Sequence, residues 1–531
     1  MDLFRVNIKA LRHILTDLPF IQTRKRLRWL VLGGCSIFGF IAAWIGSQFQ
    51  GMPEPISMLD HARLLAAETL ASGKFSSPPS SGSFFLQTHL TLQSPAYAAA
   101  LHPGESLLLA LGTLWGEPVY GLWLGSAIFS LSIAWAIAGF ASLRWCILGS
   151  IFGTLCYTFL CSWGQSFSGD INTAIGVALA WGAVRRYAST PTTRHTALLF
   201  IGLGFAFLCN PVAALLFAPI PLWIWFSTWK RQNFVKTHLA TAVVLVAAAM
   251  TIQGVHNHAT TGDMLSSAVS LYSKKYANHP YFIWQQPRLP STFDFPHMEQ
   301  YDVLVNEIMS RPPPKQGKAW LDRIQASVAF YGGIPLLVLI IGGAWTGLSK
   351  WGKLLLINAL IICTGILIIL PFNLSSISPL STVLLLFGIL MMRKIWTIRN
   401  RMHRDCWQLT WLLVIAFALV SFYRGPGIEI PMNIARHLEY KKSIIKHLLE
   451  HSQGKHLVMV KYDNGVPPSI EYVFNGANPT DQQIVWARWH DSANPTDLFD
   501  YFKGRNLWML MVHSDTKPDL RPFAWEKQAT Q

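Results

Sequence analysis

The sequence predicts a polytopic α-helical membrane protein of about eleven spanning helices, ending in a small C-terminal α/β domain. Three observations predict it. Of the 531 residues, 51% are hydrophobic and only 13% are charged; a soluble domain carries roughly 25% charged residues, so this chain lacks the polar surface to cover itself in water. Apolar runs long enough to span a bilayer recur as far as residue 423. Lysine and arginine gather in alternate connections between those runs, which is the pattern of an orientation signal. The formal net charge of +16 therefore reads as membrane topology and gives no reason to expect a nucleic acid partner.

A spanning helix needs about 20 mostly apolar residues to cross about 30 Å of hydrocarbon. The expected spans are 29–49, 118–142, 145–163, 170–185, 195–209, 211–228, 237–255, 328–347, 353–371, 378–393 and 407–423. Asn210-Pro211 separates two of them, either as one kinked helix or as a tight hairpin. Arg24, Lys25, Arg26 and Arg28 precede the first span. Arg144, then Arg185, Arg186 and Arg194, then Lys230, Arg231 and Lys236, then Lys350 and Lys353, then Arg393 to Arg404 fall on the same expected side. The short loops opposite, 164–170 and 372–378, hold no Lys or Arg. The N-terminus is accordingly expected in the cytoplasm and the C-terminal domain outside, with a bacterial inner membrane as the location. Residues 1–28 form a basic amphipathic segment suited to the cytoplasmic leaflet, and the first span acts as an uncleaved anchor.

Within the expected transmembrane domain, 29–423, two segments project outward, 50–117 and 256–327; the third outward segment is the domain 424–531. The first holds a helix over 56–72, then a Ser/Pro/Gly-rich turn over 76–83. The second is rich in Tyr, Trp, Pro and His, as suits a loop over a cavity mouth. In 424–531 the pattern gives a helix over 433–451, strands over 456–462, 469–474, 484–487 and 506–513, and a short helix over 496–502. That domain has no phosphate loop and reads as structural or docking. The seven cysteines all lie in or beside apolar segments, with no zinc spacing, and read as packing residues.

Asp60 is the leading candidate for chemistry. It lies beyond the first span on an external helix at the membrane surface, with Arg63 one turn on. His102-Pro103-Gly104-Glu105 precedes an apolar run and either positions a lipid-linked phosphate or forms a turn whose Glu105 stabilises a helix N-terminus. Asp170 either caps the helix it opens or is a second acid facing the same cavity. Lys274, Lys275, His279 and Arg288 lie in the second outward segment, as solvated charges or as cations that meet a developing negative charge. No Asp-x-Asp, no nucleotide-binding phosphate loop and no His-Glu-x-x-His occurs, which disfavours nucleotide-sugar transfer, ATP-driven transport and zinc proteolysis.

These residues carry a resemblance. Leu59-Asp60-His61-Ala62-Arg63-Leu64-Leu65-Ala66-Ala67-Glu68-Thr69-Leu70-Ala71-Ser72-Gly73-Lys74 resembles the first external loop of bacterial membrane glycosyltransferases of the GT-C superfamily, which includes protein O-mannosyltransferases and the aminoarabinose transferase. There an acidic pair opens a helix ending in Gly-Arg or Gly-Lys. His102-Pro103-Gly104-Glu105-Ser106-Leu107 resembles their Pro-Pro-Gly loop. Ser162-Trp163-Gly164-Gln165-Ser166-Phe167, Asn257-His258-Ala259-Thr260-Thr261-Gly262-Asp263, and His456 to Tyr462 with Val485 to Arg488 resemble a largely uncharacterised bacterial subgroup. Two departures stand out: His61 replaces the second acid, and His102 the first proline. The resemblance implies a sugar donor on polyprenyl phosphate, an envelope lipid, glycan or protein as acceptor, and inverting single displacement; no resident cofactor is expected, and a divalent metal is allowed but not indicated by any residue pattern. Asp60 is then the catalytic base; Arg63, His102, Glu105, Asp170, Lys274 and Lys275 are the substrate-binding residues. A non-catalytic envelope assembly protein and a flippase of lipid-linked saccharide are the alternatives.

Overall fold

The computed structural model describes residues 25–159, 162–167, 169–230, 236–276, 280–286, 293–309, 313–331, 347–370, 374–399 and 432–524. Residues 1–24 of the expected amphipathic segment 1–28, most of the expected span 328–347 and all of the expected span 407–423 lie outside them, as do Cys161 and Cys406; Cys35, Cys146, Cys156, Cys209 and Cys363 are free.

The bundle begins with α1 (Lys25–Gln50). After the outward segment come α4 (Pro118–Ile137), α5 (Leu143–Thr154, running on as a π turn over Leu155–Phe159), α6 (Asp170–Tyr187) and α7 (Thr193–Cys209). Then follow α8 (Pro211–Phe217), α9 (Pro219–Lys230), α10 (Lys236–Thr261), α14 (Lys350–Ile368) and α15 (Pro379–Arg399). Among the described residues, five helices are long and apolar enough to cross a membrane, and six if α8 and α9, bent by 48°, are one span. The chain is thus a multi-pass membrane protein; α5 and α7 are apolar but shorter. Asn210 is extended (φ −154°, ψ 94°) and its Oδ1 accepts from Ala213 N, so Asn210-Pro211 closes α7 and opens α8 as a new helix.

Without a hydrophobic drive between helices in lipid, close approach and buried polar contacts hold such a bundle. Gly176 and Gly202 let α6 and α7 touch backbone to backbone: a Cβ on Gly176 would sit 2.7 Å from Gly202 O. Asn358 on α14 accepts from Trp181 Nε1 and donates to Phe217 O, joining three helices. At one end of the bundle, Arg144 lies over the rings of Trp145 and Trp396, Arg185 over Trp351, and Arg186 over Trp135. These arginines come from connections expected on one side, and the arginine–aromatic layer fits an interfacial belt.

The outward segment 50–117 carries α2 (Met58–Ala71), a two-residue hairpin of β1 (Thr91–Leu92) and β2 (Ala98–Ala99), and α3 (Leu107–Leu114). α2 starts on a reciprocal cap: Ser57 Oγ accepts from Asp60 N, and Asp60 Oδ2 accepts from Ser57 N. Its two apolar flanks are both covered. Ala67 packs with Leu109, Ala110 and Val119 of the bundle side, and Ala62 and Leu65 pack with Tyr97, Leu101 and Ala477. The second outward segment gives α11 (Ala268–Tyr276), α12 (Pro296–Met309) and α13 (Pro313–Tyr331).

The C-terminal domain has α16 (Met432–His451), β3 (His456–Tyr462), β4 (Ile484–Arg488), α17 (Thr496–Tyr501), β5 (Asn506–Val512) and β6 (Asp519–Pro522). The sheet order is β4-β3-β5-β6, with β3 parallel to β4 and β5, and β6 antiparallel to β5. One sheet face packs on Ile444 and Leu448 of α16; the other packs on α17 and on Phe85 and Leu86 from the first outward segment. Burial on both faces explains the near-continuous apolar run of β3. Residues 469–474, expected as a strand, are irregular. Tyr472 N donates to Tyr462 Oη and Val473 N to Glu471 Oε1, so side chains take the amides a sheet ladder would use.

Candidate functional site

Four of the residues singled out in the sequence meet where α2 faces the end of the bundle. Arg63, one turn into α2, points its Nη2 at Glu105 Oε2, 3.5 Å away; Arg63 is buried and Glu105 is mostly covered. Glu105 is placed by a tight loop. Gly104 N donates to Leu208 O, and a Cβ on Gly104 would lie 2.7 Å from Cys209 Sγ and 2.9 Å from its N, so only glycine fits against α7 here. Glu105 Oε1 then accepts from His102 N at 3.2 Å. Asn172, in the first turn of α6, donates to both Gly104 O and Glu105 O. Asp170 opens α6, and its Oδ2 accepts from Ser375 Oγ at 2.9 Å.

Burial raises the Glu105 carboxyl above the ordinary range; Arg63 and the His102 amide pull it back, and the charge of Asp170 pushes it up again. Burial brings His102 down to about 4, so its ring is neutral at physiological pH. Arg63 Nε, His102 Nδ1 and Asn172 Oδ1 are buried with no hydrogen-bond partner among the described residues. Each such atom carries a desolvation cost that a hydrogen-bonding partner would relieve.

His102 also lines a cavity of about 800 Å³. Its walls are α10, the Met264–Ser273 stretch, Phe207 and Pro211 on the bundle side, and Tyr281, Phe282 and Gln285. Tyr281 lies close enough for the charge of Glu105 to add to burial in raising its phenol. The lining is amphiphilic: Val212, Val255 and Leu265 on one hand, Gln253, Asn257 and Ser270 on the other. Met250 and Val255, both in the wall, are exposed, and only 22% of the α10 apolar window is buried. The cavity thus borders on the surface the bundle offers to lipid.

The remaining sequence candidates lie apart. Asp60 is 4% exposed and is not among the residues lining the cavity beside His102; its Oδ2 accepts from Ile56 N and Ser57 N, which places it in the α2 cap. Asp60 therefore fixes the helix that carries Arg63. Lys274 and Lys275, in the last turn of α11, are exposed and are not among the residues lining the cavity with Ser270 and Ser273. His279 and Arg288 fall outside the described residues. Among the described residues, no group of three or more His, Cys, Asp or Glu is placed to hold a metal. Sequence reasoning missed Asn172, Tyr281 and Ser375, neutral residues whose roles come only from the fold. His61, the departure beside Asp60, stacks on Phe474 of the C-terminal domain, with ring centroids 3.5 Å apart and planes 9° apart.

The fold and site define a multi-pass membrane protein that holds a buried carboxylate–guanidinium cluster at the mouth of an amphiphilic cavity, under an α/β domain. No family model and no curated protein matches the chain. Among solved structures, it aligns with the Archaeoglobus fulgidus oligosaccharyltransferase in complex with zinc and sulfate, over 80% of this chain and 60% of that one, at 11% identity and a TM-score of 0.45. It aligns similarly with the archaeal oligosaccharyltransferase AglB from Archaeoglobus fulgidus in complex with an inhibitory peptide and a dolichol-phosphate, over 80% and 62%, at 10% identity and a TM-score of 0.40. The chain spans about 60% of the length of these proteins.

Proposed function

We propose that this chain is an integral-membrane glycosyltransferase that moves a sugar from a polyprenyl-phosphate donor to a lipid, glycan or protein of the bacterial envelope, at the outer face of the inner membrane. The observation that carries this reading is the Arg63–Glu105–Asp170 cluster set beside His102 and Tyr281 at an amphiphilic cavity bordering the lipid. A polyprenyl-linked sugar has the matching shape: an apolar chain that stays in the bilayer, and a charged, hydroxyl-rich head.

In the proposed reaction an acceptor hydroxyl attacks the anomeric carbon, the bond to the lipid phosphate breaks, and the configuration inverts. Glu105 takes the acceptor's proton. Burial raises its carboxyl above the ordinary carboxylate range, the direction that makes a carboxylate a better proton acceptor. Protonation of Glu105 also discharges its pairing with Arg63 and leaves that guanidinium free to meet the negative charge growing on the departing phosphate. Asp170 keeps the site's net charge balanced against Arg63. Asp60, which the sequence alone makes the base, holds α2 in place; Lys274 and Lys275 act outside the chemical step. No resident cofactor is needed, because the donor carries its own activation.

The test compares lipid-linked and envelope glycans in a host strain with and without the chain, then follows transfer from purified polyprenyl-phosphate sugar in nanodiscs. A glycan lost with the chain and restored by it supports the reading. Unchanged glycans, with flipping of the donor across the bilayer, would favour transport instead.

A further inference from the structure

A second cleft, of about 470 Å³, runs between α2 and the C-terminal domain on the side of α2 away from Glu105. His61, Glu68, Lys441, Phe474, Gln482 and Trp486 line it. Lys441 is the unusual member. Its ammonium lies 5.1 Å from the ring centre of Phe474 and 5.3 Å from that of Trp486, yet it has no carboxylate partner among the described residues, while its neighbour Lys442 pairs with Glu54 and Glu439. Burial against those rings brings it down to about 8, with Glu471 opposing. A half-buried ammonium held only by ring faces retains unused N–H donors.

Across the cleft, Gln482 Oε1 is buried and has no donor among the described residues. Glu68 spends one oxygen on Ala477 N at 2.9 Å. Gly476 permits this approach: a Cβ there would fall 2.2 Å from Glu68 Oε2. The cleft therefore offers a cation seeking an anion, a carbonyl seeking a hydroxyl, a carboxylate with capacity to spare and an aromatic wall.

We propose that this cleft binds an anionic saccharide, a sugar bearing a carboxylate, with Lys441 meeting the carboxylate and Gln482 and Glu68 taking hydroxyls. It deepens the transferase reading by naming the acceptor class, and rests on that reading only for the word acceptor. α2 is the shared wall: Arg63 faces the reaction cluster while His61 and Glu68 face the cleft.

The experiment uses the full chain in nanodiscs and needs no turnover. Lys441 is acylated with an amine-reactive ester at pH 8, and labelling is read by peptide mass mapping with exposed Lys446 as internal control. Methyl glucuronide is expected to slow Lys441 labelling at least fivefold, methyl glucoside to have little effect, and Lys441→Met to weaken methyl glucuronide binding by about tenfold or more. Glu105→Gln should leave that binding intact. No protection by saturating methyl glucuronide, or unchanged affinity in Lys441→Met, overturns the site. Equal protection by inorganic phosphate overturns the saccharide assignment. If binding is absent while Glu105→Gln still abolishes transfer, this cleft is refuted and the transferase reading stands; binding without any transfer refutes the transferase and leaves the cleft.

Discussion

Glu105→Gln separates two accounts of the proton-accepting group. The amide keeps the shape of the side chain and can still accept from His102 N, so the loop geometry survives. It loses the charge that faces Arg63 at 3.5 Å. At an effective dielectric of about 20, that distance gives roughly 5 kcal/mol of attraction, most of it offset by the cost of desolvating both groups, so the expected net loss of stability is about 2–4 kcal/mol. Turnover should fall further than stability does, by about 10²–10⁴-fold, the range a general base contributes. Asp60→Asn is the control. Its amide oxygen can still accept from the Ile56 and Ser57 amides, so α2 should keep its cap within about 1 kcal/mol and transfer should fall less than tenfold. Both variants are measured in nanodiscs, transfer by product mass and stability by thermal unfolding. Loss of transfer in Asp60→Asn with retention in Glu105→Gln would refute the assignment and return the base to residue 60.

The other predictions concern the frame around the site. Gly121→Ala puts a Cβ 2.2 Å from Leu108 O, in the backbone of α3; the helices must part, at a cost of about 1–3 kcal/mol, seen as a lower unfolding midpoint. Ser57→Ala removes the oxygen that accepts from Asp60 N and should cost about 1 kcal/mol, read as faster amide exchange in the first turn of α2. Acid should loosen the junction of the C-terminal domain. Burial brings His89 down to about 3 and His297 down to about 4, against 6.5 for an unfolded histidine. The stability from keeping them neutral is therefore full above about pH 6.5 and is lost as pH falls toward 4. His297 stacks on Tyr462 and His89 packs at a tilt against Tyr301, with Glu471 and Arg488 close to both. Limited proteolysis between residues 280 and 310 should accelerate in that window and be blunted in His297→Gln, while a flat profile would exclude these rings as the cause.

Much of the architecture was legible because lipid leaves few choices. Apolar length and basic flanks mark α1, α4, α10, α14 and α15 directly. The His102–Glu105 turn and Asp170 were legible as candidates because a polar residue beside an apolar run needs a reason. What joins them was not: Arg63 and Glu105 are 42 residues apart, and no local pattern says that α2 folds back on the loop before α3. Asp60 shows the limit from the other side. A carboxylate three residues after a serine is both an active-site candidate and half of a capping box, and only the hydrogen bonds to Ile56 and Ser57 tell which geometry it has adopted.

His61 carries the same lesson into function. Beside an acid, in a loop resembling a catalytic one, a histidine reads as a weakened second acid. In the structure its ring is spent on Phe474, and burial, with Lys441 nearby, holds it well below the usual histidine range and so neutral. A neutral stacked ring cannot replace a carboxylate, but it can pin α2 to the domain above it. The stacked ring therefore supplies a contact that shapes the second cleft. His61→Asp would place a buried charge against Phe474, with Lys441 as the nearby cation. If the cleft depends on that contact, methyl glucuronide binding should fall at least tenfold in His61→Asp, while His61→Phe, which keeps the stack, should retain it. Equal binding in both variants would show that residue 61 has no part in forming the cleft.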